Sequence, residues 1–257
     1  MNLYQHFRKE EHAFIDQVLE WKDVVDIQYR PKLTDFLDPR EQEIVKQVIG
    51  HNGDVLVDFL GGNPTAERKR ALLFPQYYQP TDDDFMLTYL EIHYPVKFVS
   101  IDHRKVLGTL MSLGLKRGKF GDILTNEELM QFIAANEIAD YLMLNLQSIG
   151  KATVSLRKIS KEDLIEEIEE WTEQVTTVSS LRLDVVLAAI YNLSRQKVQT
   201  IIQNGLVKVN WKITDQSSFE CREDDVLSVR GFGRSRIHMI EGKTKRDKWR
   251  IKIGRQI

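Results

Sequence analysis

The 257-residue chain places few side chains at spacings that support covalent chemistry. Its one cysteine, Cys221, can form neither a disulfide framework nor a cysteine-based zinc cage. Asp102-His103-Arg104 has the composition of a catalytic cluster. No nucleophile or second acid stands near it in sequence, and Asp102 fits a helix N-cap. Asp82-Asp83-Asp84 lacks the spacing of an EF-hand loop, so a polar loop is expected. Asp58 with Gly61-Gly62 offers an acid and two glycines, but not the spacing of a methyl-donor loop. No Walker or Rossmann phosphate loop is present. What remains is a set of cations able to hold phosphate. These are Arg182, Arg195, Lys197, Lys208 and Lys212, then Arg230, Arg234 and Arg236. The planar fork of arginine binds phosphate in a bidentate way. Lys116, Arg117 and Lys119 lie in a glycine-flanked loop, GLKRGKFG, which makes a second candidate contact. Arg68-Lys69-Arg70 is read instead as a solvated face.

The charge distribution agrees with this choice. The formal net charge of −2 hides an asymmetry. Residues 181–257 hold 16 Lys+Arg and 8 Asp+Glu, whereas residues 1–180 hold 20 and 30. Within the basic part, residues 181–229 are balanced at 6 and 6, and residues 230–257 carry 10 and 2. A basic module on an acidic body suggests a polyanion partner, with a solubilising tail as the plainer alternative. Hydrophobic residues at 42% and charged residues at 29% are those of a soluble globular protein. The start lacks an apolar core of signal-peptide length, and no run of about 18 apolar residues occurs. A cytoplasmic monomer without membrane contact, cofactor or metal is expected, and the single cysteine suits a reducing compartment.

The elements that must position these cations fall into three parts, expected at residues 1–80, 81–173 and 181–257. Residues 1–50 read as helical: Phe14, Val18, Trp21 and Val25 form an apolar stripe. Asp38-Pro39 opens a second helix that Gly50 can cap. VLVDFLGG and RALLFP follow as strands. From Phe85 the order is β-α-β-β-α-β, with the second helix closed by Gly150 and a final strand in KATVSLRKI. This is a ferredoxin-like, RNA-recognition-motif-like skeleton, although the aromatic RNA-reading fingerprint is absent. Residues 161–173 read as an acidic helix and TTVSS as a linker. LDVVLAAIYN and RQKVQTIIQ then form a helix pair, with Ser194 as an N-cap and Gly205 allowing a positive-φ stop. LVKVNWKI, DDVLSVR, RIHMIEG and DKWRIKI supply a small sheet. The fold class is therefore α+β.

The last part resembles the S-four domain, an RNA-binding module named for the fourth protein of the small ribosomal subunit. The residues that carry the resemblance are Arg182-Leu183-Asp184 with Leu187, Ser194-Arg195 with Val198 and Ile202, and Gly205, Val207, Val209, Asn210 and Lys212, then Asp225-Val226. Trp211 stands where that family usually has glycine. Asp184 is expected to fix Arg182 or the local backbone. Asn210 could bind its own turn or RNA, and Phe232 could stack on a base or pack in the core, with Trp249 as a further stacking candidate.

Over nearly the whole chain, TDFLDPREQEIV, GGNPTAERKRALLFP, HRKVLGTLMSLGLKRGKFGDIL and RGFGR resemble the YlmH proteins of Gram-positive bacteria. The resemblance implies a non-enzymatic factor that binds ribosomal RNA or tRNA. Through the broader family it also implies a place on the large ribosomal subunit that still holds peptidyl-tRNA after stalling. Two alternatives stay open: an RNA-modifying, methyltransferase-like enzyme, and a cell-division scaffold with RNA affinity. The acidic N-terminal part would avoid RNA and face protein.

Overall fold

The computed structural model describes residues 3–7, 9–50, 53–96, 99, 101–126, 129–166 and 171–256. They fall into two compact units, residues 1–167 and 168–257.

The first unit opens with helix α1 (His12–Gln28), which buries Ile15, Val18 and Val25, and strand β1 (Lys32–Leu37). Helix α2 (Pro39–Ile49) starts at a full capping box. The Asp38 carboxylate accepts from the Glu41 N–H at 2.9 Å, and the Glu41 carboxylate accepts from the Asp38 N–H at 2.7 Å. Strands β2 (Val55–Leu60) and β3 (Lys69–Pro75) complete an antiparallel sheet in the order β1-β3-β2. Ile15, Val18, Ile44 and Val45 pack with Ala71 and Leu73 of this sheet.

A second sheet in the same unit begins with β4 (Leu87–His93) and helix α3 (His103–Ser112). Asp102 caps α3 by accepting from the Lys105 N–H at 2.8 Å. Strands β5 (Phe120–Thr125) and β6 (Met130–Ala135) and helix α4 (Asn136–Asn145) follow. A short hairpin of β7 (Ser148–Ile149) and β8 (Ala152–Thr153) precedes β9 (Ser155–Ile159). The order β5-β6-β4-β9 is antiparallel throughout, so each crossover through a helix is split by one strand.

The second unit is a six-stranded antiparallel sheet with two helices. Its elements are β10 (Trp171–Val178), α5 (Leu183–Tyr191), α6 (Arg195–Gln203), β11 (Val207–Val209), β12 (Lys212–Ile213), β13 (Val226–Val229), β14 (Gly233–Lys243) and β15 (Trp249–Gln256). The strand order is β10-β15-β14-β13-β11-β12. Val186, Leu187 and Ile190 of α5 share one core with Val207, Leu227, Ile237, Ile251 and Ile253. Among the described residues, no helix is long and apolar enough to cross a membrane.

Five expectations are corrected. Residues 32–37, placed in a helical region, form β1, because their partner is β3 rather than the preceding helix. The helix expected to run to Gly150 stops at Asn145, and Gly150 turns the β7–β8 hairpin instead. Of the acidic helix expected over residues 161–173, the described residues show a single turn at Lys161–Asp163 and the start of β10, and Thr176 to Val178 of the expected TTVSS linker lie in that strand. Trp171 to Val178 pair along the whole of β15, from Gln256 to Trp249. Finally, Arg70 is 4% exposed rather than solvated.

Cys221 is buried in the second core, and burial with the neighbouring Asp225 charge pushes its thiol up to about 12. The thiolate is the reactive form, so the native chain is expected to resist a thiol reagent at pH 8 and react only when unfolded. Rapid labelling of the folded chain would contradict this packing.

Candidate nucleic-acid interface

Two of the eight cations, Arg182 and Arg195, share one buried acid. Asp184 lies in the first turn of α5 with its side chain fully buried. It accepts from Arg182 Nε at 3.1 Å, Arg182 Nη2 at 3.3 Å, Arg195 Nη2 at 2.8 Å and Gln199 Nε2 at 2.9 Å. Burial alone would raise its pKa. The hydrogen bonds from Arg182, Arg195 and Gln199 outweigh that and hold the carboxyl well below the usual carboxylate range. Two arginines from different elements thus share one anion, and their side chains stay 43% and 55% exposed. One edge of each guanidinium is fixed on Asp184 while much of the group faces solvent. That is how a planar fork is pre-oriented for phosphate.

Ser194 caps α6 by accepting from the Lys197 N–H at 3.3 Å, and Lys197 is exposed. Its Nζ lies 5.9 Å from the centroid of Phe232, whose ring tilts against Tyr191 at 5.6 Å. Phe232 packs against the core, so the packing alternative holds for it. Trp249 is also partly buried there, with Lys243 Nζ 5.6 Å from its ring. Arg255, absent from the sequence-derived set, stacks over Tyr191 at 5.1 Å. No spacing singles it out, since only the register of β15 brings it there.

The sheet carries the other cations. Lys208 is exposed on β11 between buried Val207 and Val209. It pairs with Ser228, which pairs with Arg234, so Lys208 and Arg234 lie in one cross-strand row. Arg236 is held by Asp224 at 2.9 Å, Lys212 is half-buried on β12, and Arg230 is exposed. Asn210 serves its own turn. Its Nδ2 donates to Asp225 at 2.8 Å, and its Oδ1 accepts from the Val226 N–H at 2.8 Å. At φ +67, Gly205 makes the expected left-handed stop after α6.

The GLKRGKFG loop is committed differently. Arg117 Nη1 donates to the carbonyls of Phe120 at 2.6 Å and Gly121 at 3.2 Å. Lys119 Nζ bonds Asp35 at 2.6 Å and Glu137 at 2.9 Å. Lys116 is the exposed cation of these three.

One face of the β5-β6-β4-β9 sheet meets the helices, and the other is covered by its own chain. Gln131 is 1% exposed, and its side chain bonds Glu91, the Asp163 carbonyl and the Ile165 N–H. Tyr89 and Ile133 on that face lie against Gly62, and Leu164 and Ile165 join the same core as Phe36. The central strands therefore present no open aromatic surface for bases there. Gly61-Gly62 also has a packing explanation: a Cβ on Gly61 would meet the Arg68 carbonyl at 2.4 Å. Asp58 sits on the edge strand β2.

The helix pair, the shared carboxylate and the cations around it define an RNA-binding protein built on an S-four module. Residues 181–227 match the family described as "S4 domain". Residues 10–78 match "YlmH, N-terminal", and residues 80–163 match "Putative RNA-binding domain in YlmH". A Bacillus subtilis (strain 168) protein named "Ribosome-associated protein quality control protein P2" is 54% identical over 255 residues, spanning 99% of both chains. The solved structure of "Cell division protein ylmH from Streptococcus pneumoniae" is 35% identical with a TM-score of 0.56. It covers 63% of this chain and 99% of its own. An uncharacterized RNA pseudouridine synthase of Mycoplasma genitalium is 49% identical over 55 residues, 21% of this chain and 17% of its own. The chain belongs to the YlmH family.

Proposed function

We propose that this chain is a non-catalytic, cytoplasmic RNA-binding protein of the large ribosomal subunit. It acts in ribosome-associated quality control, where stalled translation leaves peptidyl-tRNA. The observation that carries the RNA contact is the Asp184 carboxylate ordering Arg182 and Arg195 beside exposed Lys197. The ribosomal setting is supported by the name of the Bacillus subtilis relative, which is similar over its full length. Ribosomal RNA or tRNA would be held mainly through phosphate and shape, because the major groove of an A-form helix is too narrow for side chains to read. Lys208, Arg234 and Arg236, on the sheet face away from the helices, make a second contact, with Lys212, Arg230 and Lys116 as further ones. The acidic N-terminal part faces protein rather than RNA. The chain acts as a monomer in three parts, expected at residues 1–80, 81–173 and 181–257, with β10 (Trp171–Val178) belonging to the last of them.

The test is co-sedimentation with ribosomes. A double Arg195→Ala, Lys197→Ala variant is expected to leave the ribosomal fraction while it stays folded, with a lowered melting temperature because buried Asp184 loses its 2.8 Å donor. Binding by the unaltered chain should weaken with salt. The log–log slope is expected to be about −4 to −5 if five cations each meet a phosphate. Undiminished co-sedimentation of the double variant at moderate salt would overturn the assignment.

A further inference from the structure

The hairpin between β11 and β12 has a backbone that its sequence does not favour. Val209 pairs with Lys212, so Asn210 and Trp211 are the two loop residues. Both have positive φ, 48° and 62°. This is the primed two-residue turn, whose preferred sequence is Asn-Gly. Asparagine tolerates the left-handed region, and Asn210 is further secured by its bonds to Asp225 and Val226. A tryptophan there is a bulky residue held against its backbone preference. Strain that the surroundings enforce at one residue points to a use for that residue.

The surroundings show what the use is. The guanidinium of Arg234 lies 5.7 Å from the centroid of the Trp211 ring. Arg234 alternates with buried Ser235, so it stands on the sheet face opposite the core, in the same cross-strand row as exposed Lys208. Ile213, paired with Lys208, is 51% exposed on that face. An indole carrying an arginine, with an exposed lysine two strands away and an apolar neighbour, is the composition of a single-strand stacking site.

We propose that Trp211 with Arg234 is a stacking platform for an unpaired RNA base, with Lys208 holding the adjoining phosphate. This rests on the RNA-binding function proposed above and adds a preference for bulged or looped RNA over continuous duplex. Two labelled RNA hairpins, one with a single-nucleotide bulge and one fully paired, serve as probes for the full chain by fluorescence anisotropy. Trp211→Gly is the informative variant, because glycine suits the turn and the melting temperature should hold or rise. It is expected to bind the bulged hairpin about tenfold more weakly, with duplex affinity unchanged. Trp211→Phe should retain the preference. Equal binding of both hairpins by the unaltered chain and by Trp211→Gly would make Trp211 a packing residue and overturn the platform. An equal loss on both RNAs would also overturn it, leaving the broader RNA function intact. Failure of the unaltered chain to bind either RNA would overturn both.

Discussion

An Asp184→Ala variant is expected to lose about 3 kcal/mol of stability, at the low end of the range for removing one partner of a buried ion pair. The low end applies because Arg182 and Arg195 are each about half exposed and can turn to water once the carboxylate is gone. The part-buried Gln199 contact is lost in the same step. Asp184→Asn, which keeps an acceptor, should cost less. Urea unfolding at pH 7 measures both. The pH dependence gives an independent check. The folded carboxyl is held below its ordinary range, so its contribution is fully present above the unfolded value near 4. It is lost as pH falls through the lower folded value. The gap between the unaltered chain and Asp184→Ala should therefore stay constant from pH 8 to about 5 and close only in stronger acid. RNA affinity should fall as well, despite the gain of one unit of positive charge, because the two forks are no longer held in place. Tighter RNA binding by Asp184→Ala would mean that charge alone, not placement, carries the contact.

That distinction bears on what the sequence could reveal. The balanced charge of residues 181–229 means that RNA affinity there cannot come from surplus cations and has to come from the placement of a few. The adjacency of Arg182 and Asp184 was readable. Arg195 and Gln199, which complete the shell, lie 11 and 15 positions away, and only the packing of α6 on α5 brings them in. Elements with local signatures were readable too: the Asp38 capping box, the Asp102 cap and the β-α-β-β-α-β order. β1 and β10 were not, because short polar strands take their conformation from partners distant in sequence. Thr176 of β10 pairs with Ile251, and nothing within residues 171–178 specifies that register. The covered face of the central sheet was equally hidden. It depends on Phe36 and Leu164, which flank that sheet in sequence and fold back over it.

The second large effect lies at Arg70, on strand β3. Arg70 reads as one of three surface cations, yet it is buried with donors in three directions. Its Nε donates to the Thr34 carbonyl at 2.7 Å, and its Nη1 donates to the Met86 carbonyl and the Glu137 carboxylate at 3.2 Å each. It therefore ties β1, the start of β4 and the start of α4 together from its place on β3. The half-buried Asp122 carboxylate on β5 accepts from the backbone N–H groups of Glu67 and Arg68, at 2.6 and 3.1 Å. Desolvation there raises the Asp122 pKa against those two donors, so this second tie carries its own burial penalty. Arg70→Ala removes both a buried charge and the side chain over Phe36, and is expected to cost about 3–5 kcal/mol. Arg70→Met keeps most of the volume and separates the two causes. If the donors dominate, it should recover less than half of the loss. Hydrogen exchange read by mass spectrometry locates the effect. Amides of β1, β3 and β6 should exchange faster in both variants, with those of β13 to β15 unchanged. Unchanged protection of β1 and β6 would show that apolar packing alone joins the two sheets of the first unit.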